Sequence, residues 1–178
     1  MKHKYTLLIY TENHVGLLNR ISIIFTRHKV NIESLNTSPS MHPGLHSFVI
    51  TINTTADKAE HLRKNIEKQV EVYKAFLYGE NEVFEQAIAL FKIGTKERQV
   101  NFPLIEQIIR SSNARIMSME SDFIVIEKTG KQQEIDELLD QLSVLDVREF
   151  IQSGRVVVTK PMGKLTDFLK KLEAQEER

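Results

Sequence analysis

The chain has 178 residues, 24 Lys+Arg against 24 Asp+Glu, a net charge of zero and no cysteine. That length makes one mid-sized domain or two small ones, and the missing cysteine excludes disulfides, thiol nucleophiles and cysteine-ligated metal centres. Balanced charge argues against a protein whose main task is gripping nucleic acid or an anionic membrane.

The amino-terminal Met1-Lys2-His3-Lys4-Tyr5 leads into Tyr5–Tyr10, a β-prone run ended by polar Thr11-Glu12-Asn13-His14 and Gly16. No small-residue cleavage site follows this run and no apolar stretch reaches membrane-spanning length, so a cytoplasmic chain is expected. The sequons at Asn36 and Asn53 carry no weight in such a compartment. Leu17, Leu18, Ile21, Ile24 and Phe25 fall at helical spacing. Val30–Leu35 alternates as a half-buried strand does. A loop holding Pro39, Pro43 and Gly44 precedes the strand Ser47–Ile52. Asp57 has the character of an N-cap for a helix bearing Ala59, Leu62 and Ile66, and Val70–Leu77 closes the unit as a strand.

The second half repeats this order. Ile88–Ile93 reads as a strand, Phe102–Ser112 as a helix with Leu104, Ile105, Ile108 and Ile109 inward, and Arg115–Met119 with Phe123–Glu127 as a hairpin around Glu120-Ser121-Asp122. Ile135, Leu138, Leu139 and Leu142 share one helix face. Val147–Ile151 is a closing strand, Arg155–Thr159 a further extended run, and Leu165, Phe168, Leu169 and Leu172 an amphipathic C-terminal helix. The seam falls near Gly79-Glu80-Asn81. An α+β fold follows: two tandem ferredoxin-like β-α-β-β-α-β units, residues 1–80 and 81–178. Units this small bury little alone, so pairing of units or chains is expected.

The two halves have different chemistry. All six histidines lie in the first. Its strand-to-helix turn carries Asn13 and Gly16, whereas the second has the long, charged Gly94-Thr95-Lys96-Glu97-Arg98. At Glu12–Leu18 a strand ends and a helix begins near Gly16. The first helical N–H groups lack intrahelical partners and the helix dipole is positive there, so the end can take a small anion such as an amino-acid carboxylate. Glycine admits close backbone approach. Asn13 can cap the helix or offer a donor and an acceptor to a zwitterion. Residue types alone leave two readings open, ligand binding and simple turn formation. Asn31, between Val30 and Ile32, likewise faces either solvent or a neighbouring chain.

The run Glu12-Asn13-His14-Val15-Gly16-Leu17-Leu18-Asn19-Arg20-Ile21, followed by Phe25 and by Val30-Asn31-Ile32-Glu33-Ser34-Leu35, resembles the small, regulatory subunits of acetohydroxyacid synthase (acetolactate synthase). The resemblance covers nearly the whole chain. The strand containing Lys92 and the run Phe150-Ile151-Gln152-Ser153-Gly154 are similar to that family's second domain. It implies that residues 1–80 form an ACT domain, an amino-acid sensor that pairs side by side across a homodimer and binds a branched-chain amino acid at the interface. The implied ligand-binding set is Asn13, His14, Val15, Gly16, Leu17 and Leu18 from one chain with Asn31 and Ile32. Asn13 and Gly16 would hold the ligand's carboxylate and amino groups, with Asn31 from the partner, while His14 occupies a variable place that faces ligand or water.

The same resemblance implies no catalytic site in this chain. It implies a catalytic large subunit as partner, carrying thiamine diphosphate, Mg and FAD and condensing pyruvate with pyruvate or 2-oxobutyrate. The regulatory chain would stimulate it and confer feedback inhibition by valine or another branched-chain end product. The second unit and the Leu165–Leu172 stripe are candidates for contact with that partner or for internal packing. A free-standing ACT sensor of a different enzyme is the alternative.

Other chemistry finds little support. His42 and His46 are four apart but flank the helix-breaking Pro43-Gly44 without a third ligand, so no metal site is expected. No G-x-S-x-G, Walker A or G-x-G-x-x-G run occurs. Glu134, Asp136, Glu137 and Asp140 read as the solvated face of a helix. RNA-binding domains share the fold order but display stacking aromatics among basic residues on their central strands; here those strands are aliphatic and hydroxylic, so nucleic acid is not an expected partner.

Overall fold

A computed structural model describes residues 1–95, 102–160 and Asp167. The described residues divide into two compact units, one of Met1–Phe84 together with Val157–Lys160, the other within Glu85–Val156.

The first unit runs β1 (His3–Glu12), α1 (Leu17–His28), β2 (Ile32–Pro39), β3 (Leu45–Thr54), α2 (Ala56–Glu67) and β4 (Val72–Gly79). Its sheet has the order β2-β3-β1-β4, every neighbour antiparallel. Alternation sends Leu7 and Ile9 of β1, with Phe48, Ile50 and Ile52 of β3, to one face of the sheet. There they meet Leu17, Ile21, Ile24 and Phe25 of α1 and Ala59, Leu62 and Ile66 of α2. Each large aliphatic side chain buried in this way contributes about 1.5–3 kcal/mol. A smaller cluster on the other face gathers Leu8, Val49, Tyr78 and Val83, with Val157 packed against it.

Helix α1 stops at Lys29, whose backbone is left-handed (φ 52°). The Lys29 N–H donates to Thr26 O at 3.0 Å and the Val30 N–H to Phe25 O at 3.1 Å, satisfying carbonyls that the helix leaves open. Three local expectations are corrected. The N-cap of α2 is Thr55, in extended conformation, and Asp57 lies in the first turn, where its charge still suits the dipole. The fourth strand starts at Val72 because the Val72 N–H closes a turn onto Gln69 O (3.1 Å), leaving Val70 95% exposed. Asn31 lies just ahead of β2, and β2 continues through Pro39, which an edge strand tolerates.

A single 3-10 turn, Glu80–Glu82, leads into β5 (Val83–Gly94). The second unit continues with α3 (Phe102–Ser111), β6 (Arg115–Met119), β7 (Phe123–Gly130), α4 (Gln132–Leu142) and β8 (Val147–Gln152). Its antiparallel sheet, β6-β7-β5-β8, repeats the strand order of the first, and β9 (Val156–Thr159) also pairs with β5. Ala89, Phe91, Ile93, Ile124 and Ile126 pack against Ile105, Ile108 and Ile109 of α3 and Ile135, Leu138 and Leu142 of α4. The expected α+β architecture of two β-α-β-β-α-β units is therefore the observed one. The C-terminal helix expected at Leu165–Leu172 and the charged stretch Lys96–Arg98 lie outside the described residues. No helix among the described residues is long and apolar enough to cross a membrane.

Candidate functional site

Strand β1 ends at Glu12, whose N–H donates to Glu71 O at 3.0 Å. The chain then leaves the sheet through Asn13, His14, Val15 and Gly16, all exposed, and enters α1 at Leu17. Gly16 is the N-cap, with φ +83° and ψ −4°. That left-handed backbone is what calls for glycine, since a Cβ built there would meet nothing within 4 Å. The space beside Gly16 is open.

Asn13 therefore does not cap α1; it stands three residues ahead of the cap with its side chain exposed. The His14 carbonyl accepts from Leu17 N–H at 3.3 Å and the Gly16 carbonyl from Arg20 N–H at 3.2 Å. This leaves the Leu18 and Asn19 amides as the first-turn donors without an intrahelical acceptor, at the positive end of the helix dipole. The His14 Nδ1 lies 3.0 Å from Val15 O, so with a proton on Nδ1 the ring donates to that carbonyl.

Of the residues expected to touch a ligand, Asn13 to Gly16 form one turn that runs directly into Leu17 and Leu18, the first residues of α1. Val15 is 94% exposed, whereas Leu17 points into the core at 1% and anchors the helix rather than lining the open space. Asn31 and Ile32 lie elsewhere. Strand β2 is separated from β1 by β3, and Ile32 pairs with Ile52, which pairs with Tyr5, while Glu12 pairs with Leu45 at the opposite end of the sheet. Seven residues of strand correspond to about 24 Å, so one chain does not bring Asn31 to its own turn.

Two residues outside the expected set frame the turn. Arg20, in the first turns of α1, forms an ion pair with Glu71, the residue just before β4. A hydrogen bond from its own backbone N–H, the Arg20 guanidinium and the nearby His14 together hold the Glu71 carboxyl below the ordinary carboxylate range. Arg20 stands within the recognisable run of the sequence, but Glu71 is 51 residues further on, with no local signal to mark it.

On the hairpin between β2 and β3, Gly44 takes φ +80° and His42 and His46 flank it. Among the described residues no three His, Asp or Glu side chains come together as a metal site. In the second unit, the outward sheet face carries a shallow pocket of about 250 Å³ lined by Leu90, Lys92, Phe123, Val125, Glu149 and Ile151. Lys92 Nζ lies 4.5 Å from the Phe123 ring centroid, a cation–π contact, and Lys92 pairs with Glu149 across the strands.

Residues 7–74 match the model of the AHAS small subunit-like ACT domain, and residues 86–161 that of the small subunit of acetolactate synthase. The acetolactate synthase small subunit of Mycolicibacterium smegmatis is 27% identical over 163 residues, spanning 89% of this chain and 93% of that one. The corresponding protein of Buchnera aphidicola is 29% identical over 163 residues, spanning 90% and 99%. The crystal structure of the acetolactate synthase small subunit from Thermotoga maritima shares the fold, with a TM-score of 0.81 at 23% identity over 90% of this chain and 99% of that one.

Proposed function

The chain belongs to the acetolactate synthase small-subunit family, and from that premise we propose that it senses a branched-chain amino acid at the β1–α1 turn and reports it to a catalytic large subunit. The observation that carries this reading is the open end of α1 at Gly16, with free first-turn amides beside an exposed Asn13. A zwitterionic ligand would place its carboxylate on the Leu18 and Asn19 amides, each charge-assisted bond contributing roughly 1.5–3 kcal/mol. Asn13 would serve the carboxylate and ammonium groups through its amide.

The topology supports completion of the site by a second copy. β2 is an edge strand, with Asn31 at its start. Two copies joined antiparallel along β2 would bring the start of one β2 to the end of the other, which is the end of the sheet where the partner's turn lies. Asn31 and Ile32 would then face Asn13–Leu18 across the interface. A ligand bridging two ACT domains favours one arrangement of the dimer, and regulation follows if that arrangement meets the catalytic subunit differently. Thiamine diphosphate, Mg and FAD belong in this reading to the large subunit, which does the condensation; this chain contributes stimulation and feedback inhibition.

Valine and leucine differ by one methylene, about 0.8 kcal/mol when buried, so a single apolar site would bind both within about one order of magnitude. Calorimetric titration of valine, leucine and isoleucine into the purified chain should give saturable binding of at least one. Reconstitution with the large subunit should then stimulate acetolactate formation and make it sensitive to the same amino acid. Binding without any effect on the large subunit would point to a sensor for a different enzyme.

A further inference from the structure

Glu71 touches both flanks of the Asn13–Gly16 turn. Its backbone carbonyl accepts from the Glu12 N–H at 3.0 Å, immediately before the turn, and its carboxylate holds Arg20, one helical turn beyond it in α1. A β-bulge brings it there. β1 and β4 pair Tyr10 with Lys74 and then Thr11 with Val72, so Tyr73 is an extra residue on β4. Without that insertion Glu12 would lie opposite Val72; with it, Glu12 meets Glu71. Bulges commonly re-aim residues beside functional sites. Tyr73 itself, 40% exposed, donates from its hydroxyl towards Glu12 Oε1 at 3.5 Å.

We propose that the Glu71–Arg20 clamp is the positioning device of the amino-acid turn, fixing the first turn of α1 so that its free amides converge on the ligand's carboxylate. The inference rests on the reading of that turn given above. Arg20 is the right lever because its own N–H closes the first helical bond, onto Gly16 O at 3.2 Å. Releasing its side chain lets this bond open and the Leu18 and Asn19 amides spread. Helix ends are the low-stability part of a domain, and donors aid binding only while held in place beforehand. The Arg20 side chain is 44% exposed but that of Glu71 only 14%. Arg20→Met therefore strands a largely buried carboxylate, whereas Glu71→Gln removes the charge and leaves a solvated guanidinium, at little cost to global stability. Loss of the clamp through Glu71→Gln should therefore reduce affinity while leaving the fold intact, which separates positioning from a structural role.

The test is a double-mutant cycle read by calorimetry with valine, leucine and isoleucine, thermal unfolding being followed on the same samples. Arg20→Met and Glu71→Gln should each weaken binding about tenfold, and the unfolding midpoint of Glu71→Gln should stay near that of the parent chain. The double variant should be no weaker than the worse single one, and Arg20→Lys should restore most of the affinity. Parent-like binding by both single variants, or additive losses in the double variant, would overturn the clamp while leaving the sensor reading in place. A parent chain that binds none of the three amino acids would overturn the sensor reading and the clamp with it.

Discussion

Gly16 and Asn13 carry different burdens, and the structure separates them. At Gly16 any other residue must adopt the left-handed backbone, a cost of roughly 1–2 kcal/mol, although its Cβ would meet nothing within 4 Å. Gly16→Asp is therefore expected to fold, with a native circular dichroism spectrum. On the proposed reading of the turn it should abolish the calorimetric signal with branched-chain amino acids, because its carboxylate would occupy the place proposed for the ligand's own. Asn13 makes no cap, so Asn13→Ala should change stability by no more than about 0.5 kcal/mol while weakening binding. Chemical denaturation and titration of the same variant check both halves of that expectation. Had Asn13 capped α1, the substitution would have cost about 1 kcal/mol of stability as well.

At the scale of elements, α1 is held by its buried stripe rather than by its ends. Leu17, Ile21 and Phe25 are each no more than 1% exposed. Ile21→Ala should therefore cost about 2–5 kcal/mol, measured as a drop in the denaturant midpoint, and would take the ligand turn with it. The second unit offers a polar counterpart in Lys128, 5% exposed, whose Nζ donates to Ser112 O at 2.7 Å just beyond α3 and lies 4.0 Å from Glu134. Its charge ties the end of one helix to the first turn of the next. Lys128→Met keeps the stem and removes the donor, leaving a carbonyl unsatisfied at a cost of about 1–3 kcal/mol. α2 is fastened to β4 by ions. Arg63 donates to Glu60 and to Glu67, each at 2.6 Å, while Lys74 Nζ approaches Glu67 at the same distance.

For the whole molecule, those ion pairs set an acid limit. The hydrogen bond from Arg63 lowers the Glu60 carboxyl. At Glu67 burial opposes ionisation, but the hydrogen bonds from Lys74 and Arg63 outweigh it and the carboxyl again titrates low. The unfolded chain binds these protons more readily than the folded one, so the stabilisation is complete at neutral pH. It is lost as pH drops below the ordinary glutamate value of 4.5 and through the lower folded values. Urea midpoints should fall over that window, and Glu67→Gln should flatten the fall. The proposed shared site makes a second whole-molecule prediction. Gly16→Asp and Asn31→Ala homodimers should each bind poorly, yet a mixed dimer holds one site with an intact turn and an intact Asn31. Purified mixed dimers should therefore show half the binding stoichiometry of the parent in calorimetry, and a randomly exchanged equal mixture about a quarter. Absence of any recovery in verified mixed dimers would rule out completion of the site by the partner's Asn31, and parent-like binding by Asn31→Ala alone would place Asn31 outside the site.

Periodicity in the sequence was sufficient for the two β-α-β-β-α-β units, because the side chains that fill each core repeat at strand or helix spacing and nothing distant is needed to read them. The strand-to-helix turn was legible for the same reason: Asn13, Gly16 and Leu17 are neighbours in the chain. Strand ends were less so. Val70 looks like a strand residue until the Gln69 turn removes it, and Asn31 falls short of a strand whose pairing starts at Ile32. Only the tertiary structure decided that Gly16 rather than Asn13 caps α1, since that depends on a backbone angle. It alone placed Glu71 against Arg20, because a bulge in the β1–β4 register brings together residues 51 apart in sequence. Local patterning dictates which face is buried, whereas the partners of a surface charge are set by strand register and chain return, which no local pattern encodes.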